Sequence, residues 1–191
     1  MREGIEERED ERLMVTLSQK LAKAIRTIPD YPKKGIKFKD LTTLWKQGEL
    51  SREVMDALEA RWREEKIQKI VGIEARGFIV GAVLADRLGI GFVPVRKAGK
   101  LPAPTLTLGY ELEYGRQKIE IHADAIGPGE RVLVVDDLLA TGGTAKAAAT
   151  IVEELGGKVV GFTFVAELGF LGGRKKLGDR PVFSLVNYAK E

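Results

Sequence analysis

Two adjacent carboxylates, Asp136 and Asp137, close an apolar run at 131–135. A stretch of small residues, Ala140-Thr141-Gly142-Gly143-Thr144, follows, and a helical pattern begins at Ala145. The order is strand, acidic pair, tight loop, helix start. A short loop at a helix N-terminus gathers free backbone N–H groups where the helix dipole is positive, so it accepts phosphate. Gly142 and Gly143 let the backbone approach an anion closely. Thr141 and Thr144 add hydroxyl donors, and Thr144 suits the N-cap. An ionised carboxylate only accepts hydrogen bonds, so Asp136 and Asp137 cannot take the phosphate; they suit the two hydroxyls of a sugar. The residues alone point to a ribose 5-phosphate. The bland alternative is a Gly-Gly turn beside a capping Asp. Against it, each part stands where a ligand crevice of an open α/β sheet belongs.

The elements that must position this array read as alternating strands and helices. Helical spacing of Leu17, Leu21, Ala24, Ile25 and Ile28 predicts a helix from Thr16 that Pro29 ends. Residues 30–40 form a Pro-, Gly- and Lys-rich loop with Phe38 as its aromatic. Residues 54–62 are amphipathic, and Trp62 there reads as core. Residues 69–73, a nearly all-apolar helix at 78–88 closed by Gly89, and residues 91–95 make a strand–helix–strand unit, which demands parallel pairing. Residues 96–104 read as an exposed loop, of the kind that closes over a ligand. Residues 105–113 and 117–121 alternate as a hairpin. The strand at 131–135, a helix capped by Gly156-Gly157, and strands at 159–165 and 182–186 complete the chain. The fold class is therefore α/β, with a parallel core sheet covered by helices on both faces. The loop at 30–40 and the final strand fall outside the repeating unit and are expected to cap the strand ends. One domain is expected over 14–191, after a charged extension at 1–13.

Bulk properties exclude several classes. The chain has 191 residues, 44% of them apolar, enough for one sizeable core. It has no apolar run of spanning length and no charged–apolar–small leader, so the expectation is a cytoplasmic protein without a membrane partner. It contains no Cys, which excludes disulfides and Cys-based metal sites and fits a reducing compartment. The single His, His122, supports neither a His metal cluster nor a Ser-His network and reads as a polar strand residue. The net charge of +3 is uneven, because residues 2–12 hold six acids and three arginines. Basic residues gather at Lys33, Lys34, Lys37 and Lys39 and again at Arg96, Lys97 and Lys100. Nucleic acid is one reading of such clusters and a solvated face another; a polyphosphate substrate fits the second cluster better.

Residues 134–144 resemble the phosphoribosyl pyrophosphate signature of type I phosphoribosyltransferases. Further stretches look like the adenine phosphoribosyltransferases within that family: Asp30-Tyr31-Pro32 with Gly35-Ile36 and Phe38-Lys39-Asp40, Gly72-Ile73-Glu74-Ala75-Arg76-Gly77-Phe78, Val95-Arg96-Lys97 with Gly99-Lys100-Leu101-Pro102, Tyr110-Glu111-Leu112-Glu113-Tyr114-Gly115, and Glu167-Leu168 with Phe170-Leu171-Gly172-Gly173-Arg174. The resemblance spans about residues 28–188. It implies the type I phosphoribosyltransferase fold, a five-stranded parallel core with a small hood from about 28–45 and 166–188. It also implies a homodimer. The implied reaction is adenine plus phosphoribosyl pyrophosphate giving AMP and pyrophosphate, with Mg²⁺ carried by the substrate rather than by a dedicated ligand cluster.

The resemblance distributes roles over the residues. Ribose 5-phosphate falls to Asp136, Asp137, Ala140, Thr141, Gly142, Gly143 and Thr144. Pyrophosphate falls to Glu74, Ala75, Arg76 and Gly77, joined by Arg96, Lys97 and Lys100. Physics agrees with the first group, a loop at a helix start with an arginine able to fork two oxygens, though a surface ion pair would look the same in sequence. Arg76 also counts as catalytic. Glu113 becomes the acid/base beside a purine ring nitrogen; its spacing alone reads as a solvated strand residue. The purine falls to Ile36, Lys37, Phe38 and Lys39. Here the chain departs from the family, with Lys34 where Pro is common, Lys37 where an aliphatic residue is common, and Lys39 in place of Arg, which loses the planar fork. Those departures leave a 6-oxopurine open as the base. A regulator that senses phosphoribosyl pyrophosphate and binds nucleic acid is a further alternative, disfavoured because about 30 residues before the hood accommodate one helix and no DNA-binding domain.

Overall fold

The computed structural model describes the backbone of residues 3–112 and 115–190, with side chains over 12–111 and 117–190. In chain order the elements are α1 (Glu3–Ala24), β1 (Arg26–Ile28), β2 (Phe38–Asp40), α2 (Thr42–Trp45), α3 (Gly48–Trp62), β3 (Lys69–Ile73), α4 (Gly77–Leu88), β4 (Gly91–Lys97), β5 (Thr105–Leu112), β6 (Gly115–His122), β7 (Arg131–Val135), β8 (Leu138–Leu139), α5 (Gly143–Glu154), β9 (Lys158–Glu167) and β10 (Val182–Asn187). Two 3₁₀ turns, Gly169–Leu171 and Gly173–Leu177, lie between the last two strands.

The central strands are apolar on both faces, which a parallel sheet covered on each side requires. Ile70, Val71 and Ile73 on β3 and the whole run Val132–Val135 on β7 are buried. The parallel order is β10-β9-β7-β3-β4. At the β4 edge the direction reverses: β6 pairs antiparallel with β4 through Arg96↔Glu120 and Lys97↔Ile119, and β5 pairs antiparallel with β6. One face packs α1, α3 and α4 through Leu21, Leu58, Trp62, Val80, Leu84 and Leu133. The other packs α5 and the hairpin through Ile121, Val134, Ala148, Ile151 and Phe164. Trp62 is core, as its spacing indicates.

Several elements differ from the sequence reading. Helix α1 starts at Glu3, not Thr16, and it stops at Ala24. Residues Arg26–Ile28 leave it to pair antiparallel with Phe38–Asp40. The cause is local: Pro29 disfavours helical backbone at Ile28, and Thr27 and Ile28 are β-branched. This two-stranded unit lies in the segment expected as the hood, and Arg26 and Asp40 pair across it. The final strand does not stand apart as a cap. β10 is the fifth core strand, parallel to β9, and Gly173 in the turns before it packs against Ala140 and Gly142. Helix α4 ends at Gly89 in left-handed backbone (φ +67), as the glycine signal requires.

Candidate functional site

Helix α5 opens the site. Its N-cap is Gly142, at φ +77, and its first residue is Gly143. Thr144 is therefore not the N-cap: a left-handed cap conformation favours glycine, and Thr144 falls in the first turn. Its Oγ1 lies 3.2 Å from the Tyr110 hydroxyl on β5. Asp136, Ala140, Thr141, Gly142, Gly143 and Thr144 all line one cavity of about 80 Å³. The first-turn N–H groups of a helix have no intrahelical acceptor, so these residues carry donors of the kind an anion needs.

The loop owes its shape to a residue far along the chain. A Cβ added at Gly142 would strike the Gly173 carbonyl, and one at Gly173 would strike the Ala140 carbonyl. The turn at Gly173 thus lies flat against the loop backbone. Nothing in local sequence marks that contact.

The two carboxylates part company. Asp136 faces the cavity, whereas Asp137 is 1% exposed and lies 2.8 Å from Arg76 Nε through its Oδ2. Burial, and then the neighbouring Asp137 charge, push the Asp136 carboxyl well above the usual range. Burial raises Asp137 as well, against the opposing pull of Arg76.

Asp136 and Thr144 also line a second cavity, of about 140 Å³, with Glu74, Arg96, Lys97, Tyr110 and Gln117. Gly77 brings this side close: a Cβ there would lie 2.8 Å from the Val135 carbonyl oxygen. Ala75 precedes it as an exposed residue of the loop before α4. Arg96 donates to both Glu74 oxygens, at 3.3 and 3.1 Å, and to the Lys100 carbonyl at 3.1 Å. The Lys97 N–H donates to Glu74 at 2.9 Å. Burial opposes ionisation of Glu74, but these bonds and the charges of Arg96 and Lys100 hold its carboxyl below the usual range. Arg76 is turned toward Asp137, with its guanidinium 5.6 Å from the Phe38 ring centre.

In the hood, Phe38 is half-buried and meets Tyr31 edge-on at 5.2 Å. Ile36 and Lys37 are exposed. Lys39 donates to Thr27 Oγ1 at 2.9 Å and sits 4.1 Å from the Tyr188 ring centre. Burial and the charge of Lys37 lower its pKa. The ring of Phe38, bridged by Arg76 to Asp137, links the hood to the sheet ends. Glu113 and Tyr114 lie outside the described residues.

Sequence reasoning missed Tyr110, Glu120 and Gly173. Glu120 carried only the alternation of a hairpin, and Tyr110 and Gly173 stood in the resembling stretches without a role of their own.

The phosphoribosyl transferase domain model matches residues 41–186. The chain is 56% identical over 170 residues to the adenine phosphoribosyltransferase of Chloroflexus aurantiacus, covering 89% of this chain and 98% of that one. The crystal structure of adenine phosphoribosyltransferase from Thermoanaerobacter pseudethanolicus superposes with a TM-score of 0.86 at 52% identity, covering 89% of this chain and 99% of that one. The Saccharomyces cerevisiae enzyme, solved with an imino-altritol bisphosphate and adenine, superposes at 0.84 with 45% identity, over 90% of this chain and 99% of that one.

Proposed function

The chain belongs to the adenine phosphoribosyltransferase family, and on that footing we propose that it transfers the 5-phosphoribosyl group of phosphoribosyl pyrophosphate to adenine, giving AMP and pyrophosphate in purine salvage. The observation that carries this reading is the pair of cavities sharing Asp136 and Thr144. One is walled by a helix N-terminus and the other by Arg96 and Lys97, with a carboxylate between them. That arrangement suits a sugar bearing phosphate at both ends.

At C1 of the ribose the bond to the pyrophosphate oxygen breaks, the electron pair leaves with pyrophosphate, and a bond to a purine nitrogen forms. Positive charge grows on the ring and negative charge on the leaving group, so positioning and electrostatics dominate over a protein nucleophile. Ala140 to Thr144 hold the 5-phosphate, Asp136 with Asp137 behind it serves the ribose hydroxyls, and Lys97, Lys100 and the loop at Glu74 to Gly77 face the pyrophosphate. Glu113 exchanges the purine proton. Phe38 and Ile36 wall the base.

Mg²⁺ bound with the pyrophosphate would neutralise part of its charge. Asp136, whose charge is opposed by burial and by Asp137, is the carboxylate that gains from a cation. We also place the protein in the cytoplasm as a homodimer. In support, no described helix is long and apolar enough to cross a membrane, and Ile79 and Val83 leave an exposed apolar stripe on α4 beside the pyrophosphate loop.

The test is pyrophosphate release from phosphoribosyl pyrophosphate and Mg²⁺ with adenine, hypoxanthine, guanine or xanthine offered separately. Release with adenine alone is expected. Release with a 6-oxopurine would move specificity into Lys37 and Lys39, and no release with any base would turn attention to a sensing role.

A further inference from the structure

Glu120 is a buried carboxylate, 4% exposed, on β6 directly opposite Arg96 of β4. Its Oε2 accepts from the Gly99 N–H at 3.0 Å, and its Oε1 accepts from the N–H groups of Lys100 at 2.7 Å and Leu101 at 2.8 Å. Three consecutive backbone N–H groups converging on one point make a concave anion nest. Gly99 supports it with left-handed backbone, φ +83. In sequence this stretch reads as an exposed loop of the kind that closes over a ligand, with Arg96, Lys97 and Lys100 as pyrophosphate candidates. The structure fills the loop's amides with the protein's own carboxylate. The Gly99 amide, with the other two, holds Glu120 below the usual carboxyl range against the cost of burial.

The consequence runs outward from Glu120. With its amides satisfied, the loop is fixed: the Lys100 carbonyl accepts from Arg96 Nη1, and Arg96 in turn grips Glu74 with its remaining nitrogens. The Ala98 N–H donates to the Lys118 carbonyl and closes the loop base. Lys97 is left on the cavity wall, and the Lys100 charge reaches Glu74.

We propose that Glu120 is a positioning residue for the pyrophosphate half of the site: by filling the nest of Gly99, Lys100 and Leu101 it sets the loop that carries Lys100, and with it Arg96 and Lys97 at the end of β4, against Glu74. It never touches substrate. This rests on the reading of the second cavity as the pyrophosphate side.

The test is calorimetric binding, with Mg²⁺, of phosphoribosyl pyrophosphate and of ribose 5-phosphate to the full chain and to Glu120→Gln. The amide replaces an acceptor oxygen with a donor facing the three N–H groups, without loss of volume. Phosphoribosyl pyrophosphate should bind about tenfold more weakly, since charge-assisted bonds are lost, and ribose 5-phosphate should bind as to the wild type. Gly99→Ala is the second variant. A Cβ there meets nothing within 4 Å, so only the loop conformation is strained, and the same selective loss is expected. A double variant with Lys100→Ala should lose little beyond Glu120→Gln alone, because both act through one loop. Unchanged phosphoribosyl pyrophosphate affinity in both variants overturns the proposal, as does equal weakening of both ligands. Binding needs no turnover, so a wild-type protein that binds phosphoribosyl pyrophosphate but releases nothing with adenine would sink the catalytic reading and leave this one standing. A wild type that binds neither ligand removes both.

Discussion

Arg76 Nε lies 2.8 Å from Asp137 Oδ2, and this ion pair joins the loop before α4 to the acidic end of β7. Asp137 is almost wholly buried, while Arg76 is 36% exposed. The pair ties these two segments together.

Removing the arginine leaves Asp137 as a buried charge without its partner. Arg76→Ala should lose about 2 kcal/mol at pH 7, less than a fully buried pair because the guanidinium is partly solvated. Burial already raises Asp137, and loss of Arg76 raises it further. The penalty should therefore shrink as pH falls and the carboxyl takes up a proton. Adding Asp137→Asn should restore most of the loss. Urea unfolding at pH 7 and pH 5 checks this; a penalty independent of pH would dissociate the two residues.

Asp136 presents the opposite balance. Its folded pKa lies above the ordinary 3.8, so the native state binds more protons than the unfolded one in that window. Stability then falls as pH rises through the folded value. Asp136→Asn stays neutral and should melt higher than wild type at pH 7, with the gap closing below about pH 4. The same variant should bind AMP more weakly, trading function for stability. A lower melting temperature at pH 7 would contradict the assigned burial cost.

Gly173 tests whether the phosphate loop is clamped from outside. Gly173→Ala should weaken AMP binding at least about tenfold, as Gly142→Ala should, since each forces the loop backbone apart. The two losses should not add. Wild-type AMP affinity in Gly173→Ala would show that the loop holds its own shape.

The hood should have an acid limit. Asp40 accepts from Thr42 and Arg26, and these bonds lower its pKa from 3.8 to about 2. A depressed carboxyl stabilises above the unfolded value, and that contribution is lost as pH falls through the folded one. Asp40→Asn should cost on the order of 2 kcal/mol at neutral pH. Its melting temperature should converge on that of wild type between about pH 4 and pH 2. Parallel melting curves across that range would remove Asp40 from the acid response.

Glu113→Ala should lower turnover about a hundredfold or more, as expected for loss of an acid/base group, while phosphoribosyl pyrophosphate binding stays near wild type. Unchanged turnover would return Glu113 to a solvated strand residue.

Much was legible along the chain because it depends on neighbours in sequence. The apolar runs at β3 and β7, the small-residue loop before α5 and the glycine after α4 each announce themselves locally, since strand burial, phosphate cradling and left-handed caps are set within a few residues. The acidic pair at the strand end was legible as a pair. Its division of labour was not: Asp136 lines the cavity while Asp137 is buried beside Arg76, which lies on a loop far earlier in the chain. Thr144 lost the cap to Gly142 because the helix begins at Gly143, ahead of the apolar pattern that starts at Ala145.

The sequence by itself determined the parallel α/β architecture, the small-residue loop before α5 and the hairpin after β4, because each follows from local periodicity or from residue types with few alternatives. Only the tertiary structure decided that Gly173 braces the loop, that Arg76 answers Asp137, that Glu120 fills the amides of residues 99–101, and that the last strand joins the core. These are contacts between segments distant along the chain. Their partners are chosen by sheet order and close packing, which no stretch of sequence encodes on its own.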